Sequence, residues 1–209
     1  MPSTICFAWS WNGGKVEFAS TWDGDDLADI SWQLFHEATG VVTFNGKRAD
    51  EKWLKQEWAV AGMVPPSPYK SIDLFVTARR EFAFESKSLA HLCKRLGVEG
   101  KHGHYSVADA RAAVAGDVAA QRRLKRYNRQ DVQATWAAAT ALGPWVKEWP
   151  HVGVTSGQER CCWRCGSEDL RQEGFTSTAL TLYGLLQCKC GAWSRLNHRK
   201  HAVTTRPAR

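Results

Sequence analysis

The sequence predicts an α/β domain over residues 1–150, followed by a small cysteine-rich module. Short β-branched and aromatic runs alternate with amphipathic helical patterns as far as residue 150, the pattern of a sheet covered by helices. Five of the seven cysteines fall between residues 161 and 190, whereas Cys6 and Cys93 sit alone in apolar patterns. Charge is uneven too. Residues 151–209 carry nine Lys/Arg against four Asp/Glu, and residues 1–150 carry 19 against 17. The basic surplus therefore belongs to the second part, as suits a surface that meets phosphate.

Residues 5–11 read as a strand, Asn12-Gly13-Gly14 as a turn and residues 15–19 as the returning strand, a hairpin signal. Residues 23–39 form a helix with Leu27, Ile30, Leu34 and Phe35 on one face, ended by Gly40. Residues 41–44 suit a buried strand. The strand breaks at Asn45-Gly46, a pair that tolerates positive φ. A helical pattern then runs from residue 49 through Trp53, Leu54, Trp58 and Val60. Asp50 thus stands at a strand end, on the first turn of a helix, beside Gly46, Lys47 and Arg48. The helix macrodipole favours an acid there even with no function attached.

Gly62 and Pro65-Pro66-Ser67-Pro68 impose an extended loop. Residues 72–76 open a short element in which Asp73 is either a supporting site acid or an ordinary helix-start Asp. Residues 88–96 make an amphipathic helix stopped by Gly97, and residues 106–115 another, interrupted by Gly116-Asp117. Between them, Lys101-His102-Gly103-His104 either touches substrate phosphate or is a solvated loop. A long helix follows over residues 119–142. In it, Tyr127 and Asp131 are four apart and project from one face. A carboxylate and a phenol stacked in this way can bind a divalent metal and orient the water it activates.

A strand with Asn45-Gly46-x-x-x-Asp50, followed by a helical Tyr127-x-x-x-Asp131, resembles the second and third motifs of DnaQ-like 3′-5′ exonucleases of the tyrosine (DEDDy) type. These belong to the RNase H-like superfamily, and the likeness extends to its phage and bacterial branch. It covers residues 2–150 and includes Pro65-Pro66-Ser67-Pro68-Tyr69, Ile72-Asp73 and Tyr127-Asn128-x-x-Asp131-Val132. The resemblance implies an RNase H-like mixed sheet flanked by helices. It implies a metal-dependent 3′-5′ exonuclease acting on single-stranded DNA ends in phage or prophage DNA replication or processing. Asp50 and Asp131 would hold Mg²⁺ or Mn²⁺, Tyr127 would orient the attacking water, and Asn45, Gly46 and Lys47 would lie beside the terminal nucleotide.

The family's first motif, Asp-x-Glu on the first and central strand, occurs nowhere in these 209 residues. Met1-Pro2-Ser3 stands where the family enters its second strand. The expectation is a chain lacking that strand, with half of a two-metal site and very low activity as it stands. The strand at residues 41–44, expected to be internal, would then lack its usual neighbour. The alternatives are a non-catalytic nucleic-acid-binding remnant of the fold and a zinc-ribbon adaptor to a replication protein. An in-frame Asp-x-Glu upstream of Met1 would favour the nuclease; a stop codon close by would favour the remnant.

Cys162-x-x-Cys165-Gly166 has the form of a zinc knuckle, and Cys188-x-Cys190-Gly191 resembles a second knuckle one residue short. The intervening segment is rich in Thr, Leu and Tyr, as hairpin strands would be. Four thiolates around Zn²⁺ stabilise a module too small for a core of its own; the alternative is a reduced, metal-free cluster with Cys161 to spare. Residues 151–159 read as a linker, 160–196 as the ribbon and 197–209 as a basic tail. No apolar run approaches the roughly 18 residues of a membrane span, and no signal peptide precedes the first strand. Clustered thiols suit a reducing cytoplasm, that of a bacterial host if the chain is phage-encoded.

Overall fold

The computed structural model describes residues 4–100, 103, 105–147 and 149–205. Expectations resting on Met1-Pro2-Ser3, on Lys101, His102 and His104, and on residues 206–209 lie outside these residues. The chain divides into two units, residues 1–142 and 143–209.

The first unit opens with a hairpin. Strand β1 (Cys6–Ser10) pairs antiparallel with β2 (Val16–Ser20), with Phe7 opposite Ala19 and Trp9 opposite Glu17. Asn12 (φ 50°) and Gly13 (φ 75°) make the reversal. Helix α1 (Leu27–Glu37) starts later than its acidic run suggests, because residues 21–23 form a 3-10 turn. Asp23 and Asp25 accept hydrogen bonds from the Ser20 hydroxyl and amide at 2.7 and 2.8 Å. Asp26 is left to cap the helix through the Asp29 amide at 3.0 Å.

Strand β3 (Gly40–Thr43) pairs in parallel with β4 (Lys70–Asp73), Val42 lying opposite Ile72 and Thr43 opposite Asp73. A parallel pair needs a long crossover, here helix α2 (Asp50–Val60) and the proline loop. Helix α3 (Leu74–Glu81) leaves β4 directly. Helix α4 (Leu89–Leu96) is capped by Ser88 and closed by Gly97 at φ 66°. In α5 (Val107–Val114), Ser106 and Asp109 satisfy each other's amides as a capping box.

Helix α6 (Val118–Leu142) organises this unit. It packs against β1, β2, β3, α3, α4 and α5, and buries Ala120, Leu124, Ala134, Ala138, Ala139 and Leu142. Small residues on that stripe let the neighbouring elements come close, while Leu74 and Leu92, each at 0% exposure, fill the space between. The fold is mixed α/β with small sheets and covering helices, as expected. One detail differs from the expectation of an internal strand at residues 41–44. Among the described residues, β3 has a strand partner on one edge only, and the β1–β2 ladder remains separate from it.

In the second unit a short helix α7 (Val152–Ser156) lies within the stretch read as linker. Strands β5 (Leu170–Ser177), β6 (Thr181–Cys188) and β7 (Trp193–Ala202) form an antiparallel sheet in that order. Strand β7 therefore runs through residues 197–202, which the sequence reading had placed in a basic tail. The Thr/Leu/Tyr alternation announces the first hairpin, but β7 is rich in Arg, Lys, His and Asn and carries little apolar signal. Among the described residues, no helix is long and apolar enough to cross a membrane.

Candidate active site and metal centre

Asp50 is placed by the turn before it. Asn45 adopts φ 65°, which Asn tolerates better than most residues. Gly46 is required by space: a Cβ there would lie 2.5–2.7 Å from the Thr43 side chain. The Gly46 carbonyl accepts the amides of Ala49 at 3.2 Å and Glu51 at 2.9 Å, and α2 begins at Asp50.

Asp73 holds this turn from the end of β4. Its Oδ1 accepts the amides of Asn45 (2.8 Å) and Phe75 (3.0 Å), and its Oδ2 accepts that of Lys47 (3.2 Å). At 3% exposure, its carboxylate is engaged by three backbone donors and serves as a clasp as well as the cap of α3. The amides of Asn45 and Lys47 thus face Asp73, and Gly46 is buried. Of the three residues expected beside a terminal nucleotide, Lys47 presents an exposed side chain.

Glu51, next to Asp50, points the other way. It is 3% exposed and accepts hydrogen bonds from the Tyr69 hydroxyl at 3.1 Å and from the Ser71 hydroxyl. Lys55 lies 3.6 Å from its Oε2. Burial, and then the Glu51 charge and hydrogen bond, raise the pKa of Tyr69. Glu51 therefore ties the first turn of α2 to β4, so that Asp50 is held on the opposite, open side.

The second acid comes from α6. Asn128 anchors the helix locally, its Nδ2 donating to the Leu124 carbonyl at 3.0 Å and approaching Cys6 Sγ at 3.6 Å. Tyr127 stands one turn before Asp131, its ring edge-on to Tyr105 with centroids 4.9 Å apart. Asp131 Oδ1 is shielded from solvent. The Asp131 charge reaches Asp50 although the two lie far apart in sequence. Surrounding protein raises the Asp50 carboxyl above the ordinary carboxylate value, and the charges of Asp73, Asp131 and Glu51 raise it further. Since the Asp50 side chain is open to solvent, the three neighbouring acids are the firmer part of that shift. Tyr105 is raised by burial and then by Tyr127, Cys6, Asp50 and Asp131, so it faces the same acids.

Two carboxylates are the kind of donor a hard divalent cation prefers. Asp73 is already engaged by three backbone amides. Sequence reasoning missed Glu51 and Tyr105. Glu51 is masked by its acidic neighbour, and Tyr105 follows a Gly- and His-rich loop with no motif of its own.

In the second unit the sulfurs of Cys162, Cys165, Cys188 and Cys190 all lie within 4.8 Å of one another. Cys162 and Cys190 are 3.6 Å apart, as are Cys165 and Cys188. A tetrahedron with Zn–S bonds of about 2.3 Å has edges of about 3.8 Å, so the spacing fits a structural zinc. Both knuckles turn on left-handed glycines, Gly166 at φ 75° and Gly191 at φ 85°. Their amides bond the carbonyls of Cys162 (3.0 Å) and Cys188 (2.9 Å). The shortened Cys188-Lys189-Cys190 knuckle therefore still delivers both sulfurs. Cys161 turns away, its Sγ 3.8 Å from the Gln158 carbonyl. Burial would raise the Cys190 thiol, but the Ala192 amide and hydrogen bonds with Cys188, Cys162 and Cys165 bring it down to about 7. Burial pushes Cys162 up to about 12.

A family model described as the RNase_H superfamily matches residues 4–142. The chain belongs to the RNase H superfamily, a fold of nuclease type that supports activity on nucleic acid. Its second unit carries a four-cysteine cluster of zinc-ribbon form. No curated protein matches the chain.

Proposed function

We propose that the first unit is a metal-dependent 3′-5′ exonuclease of the DnaQ-like, tyrosine type acting on single-stranded DNA ends, in phage DNA replication or processing. This reading is supported by the packing of α6, which carries Asp131, against β3, which leads into Asp50, and by the upward push of the Asp131 charge on the Asp50 carboxyl. Like charges so placed repel each other unless a cation or proton lies between them. Asp50 and Asp131 would hold Mg²⁺ or Mn²⁺, which when bound supplies Lewis acidity and a more acidic water. The Tyr127 hydroxyl, one turn away, would orient that water. Lys47 would neutralise a phosphate of the terminal nucleotide, with Asn45 and Gly46 shaping the turn beneath it.

In a second reading, which the superfamily fold supports equally, the same surface binds nucleic acid without cleaving it. A role as an adaptor to a replication protein would rest on the ribbon alone. A 3′-labelled single strand incubated with the protein and Mn²⁺ tests the first reading. Slow release of mononucleotides, at least 10²-fold slower in both Asp50→Asn and Asp131→Asn, is expected. Equal release by parent and Asp131→Asn would overturn the site assignment, and no release by the parent would leave the binding reading in its place.

A further inference from the structure

We infer that one face of the β5–β6–β7 sheet is a binding platform for single-stranded nucleic acid, built from Arg171, Tyr183, Trp193, Arg195 and Arg199. This rests on the reading of the chain as a nucleic-acid protein but not on the exonuclease chemistry.

The register fixes which residues share that face. In an antiparallel ladder, directly opposed residues point to the same side and alternate residues follow them. Tyr183 lies opposite Thr176 and Arg199, Leu185 opposite Arg195, and Gln187 opposite Arg171 and Trp193. Two irregularities keep this set together. The bulge between Gln172 and Phe175, with Gly174 at φ 91°, switches the parity of β5. The irregularity between Tyr183 and Leu185 leaves Arg195 and Arg199 on the same side. The opposite face holds Leu170, Leu182, Leu186 and Cys188; Leu186 and Cys188 are 4% and 2% exposed, and Leu170 packs against the cysteine cluster. The end of that face beside the cysteines is the module's interior, while Phe175, opposite Gly184, is exposed at the other end. The first face is solvated.

Its chemistry suits one occupant. By the same alternation Glu173 joins Arg171 on it, so three arginines stand against one acid, a positive surplus complementary to a polyphosphate strand. The Arg195 guanidinium lies over the Tyr183 ring, 4.2 Å from its centroid, and both groups are planar surfaces on which an unpaired base can stack. Trp193 is 46% exposed and offers a second π-surface, while the Trp163 indole N–H fixes its backbone by bonding the Trp193 carbonyl at 2.7 Å. A base–aromatic stack contributes about 1–3 kcal/mol and tolerates any sequence. A duplex keeps its bases stacked and cannot use these rings.

The test is fluorescence anisotropy with a labelled oligothymidylate and without added Mg²⁺ or Mn²⁺, so that binding is read separately from cleavage. Three variants are compared: Arg195→Gln/Arg199→Gln, Arg195→Lys/Arg199→Lys, and Lys94→Gln as a control for lost charge elsewhere. One zinc per chain in each confirms that the sheet is intact. The Gln pair is expected to bind at least tenfold more weakly, with the salt dependence of log K shallower by about 1.4, roughly 0.7 for each lost phosphate contact. The Lys pair should keep the salt slope but lose several-fold in affinity through lost stacking. Lys94→Gln, which removes an exposed cation from α4, should bind as the parent does. Unchanged affinity in the Gln pair, or a duplex of the same length bound as tightly as the single strand, overturns the platform and leaves the exonuclease reading standing. Failure of Asp131→Asn to reduce cleavage would overturn the active site and leave the platform standing.

Discussion

Asp73 Oδ1 accepts the backbone amide of Asn45 at 2.8 Å, so the last residue of β4 fixes the turn that leads into Asp50. The position of one acid thus depends on another. Replacing Asp73 with Ala would leave the amides of Asn45, Lys47 and Phe75 without their acceptor in a buried site. Bonds to charged groups contribute about 1.5–3 kcal/mol each but are not additive. A total loss of about 3–5 kcal/mol is expected in urea denaturation. Asp73→Asn should be milder, because it keeps one acceptor oxygen.

Gly46 should be equally intolerant. Its missing Cβ is what lets the turn pass over Thr43, whose Cβ would be 2.5 Å away. Because that neighbour is the root of a side chain and not its flexible end, the backbone must move. Gly46→Ala should cost about 1–3 kcal/mol by overpacking, read as a lower urea midpoint. A smaller cost of Gly46→Ala in a Thr43→Gly background, which lacks all three contacting atoms, would confirm the cause; an undiminished loss would point instead to the backbone.

How far these relationships were legible in sequence depends on their range. Asn45-Gly46 announced its turn, Ser88 and Gly97 bracketed their helix, and Cys162-x-x-Cys165 announced its knuckle, because each signal acts over a few residues. The Tyr127/Asp131 pairing was visible as helical spacing. Asp73 was ambiguous between helix cap and site acid, and it turns out to cap α3 while bonding residues 28 and 26 positions away. Those partners are set by the parallel β3–β4 register, which no local pattern encodes. Glu51 and Tyr105 escaped for the same reason. Strand β7 escaped because its solvated face carries arginines where a strand signal expects apolar residues.

Zinc removal should separate the two units. Four sulfurs hold the knuckles together, and the buried cluster around them consists of Cys162, Cys188 and Ala192, too little to persist alone. One zinc per chain is expected in reduced protein. Its removal by a chelator should abolish hydrogen-exchange protection in β5, β6 and β7 while that of α6 persists. Retained protection in the ribbon after complete removal would show that the fold does not depend on the metal.

The last prediction concerns the acids themselves. The Asp50 carboxyl is raised in the folded chain, so its charged form is disfavoured by folding. For a group shifted upward, its stability contribution is complete below the unfolded value, about 4. That contribution is lost as pH rises through the folded pKa. Metal-free protein should therefore be less stable near pH 7 than this acid alone would make it at pH 4. Asp50→Asn should raise the melting temperature of the metal-free first unit at pH 7 and leave it nearly unchanged at pH 4. Added Mn²⁺ should do in the parent what the substitution does, since an ion that binds the folded state stabilises by mass action. At ten times its Kd this amounts to about 1.4 kcal/mol, or about 3–5 °C for a unit of this size. Asp50→Asn and Asp131→Asn should each lose most of that rise, and it should shrink toward pH 4 as protons compete for the same oxygens. Differential scanning calorimetry at both pH values, with and without Mn²⁺, reads all of these effects. A Mn²⁺ shift that survives in Asp131→Asn would place the ion elsewhere, and a metal-free Asp50→Asn less stable than the parent at pH 7 would contradict the electrostatic account of the site.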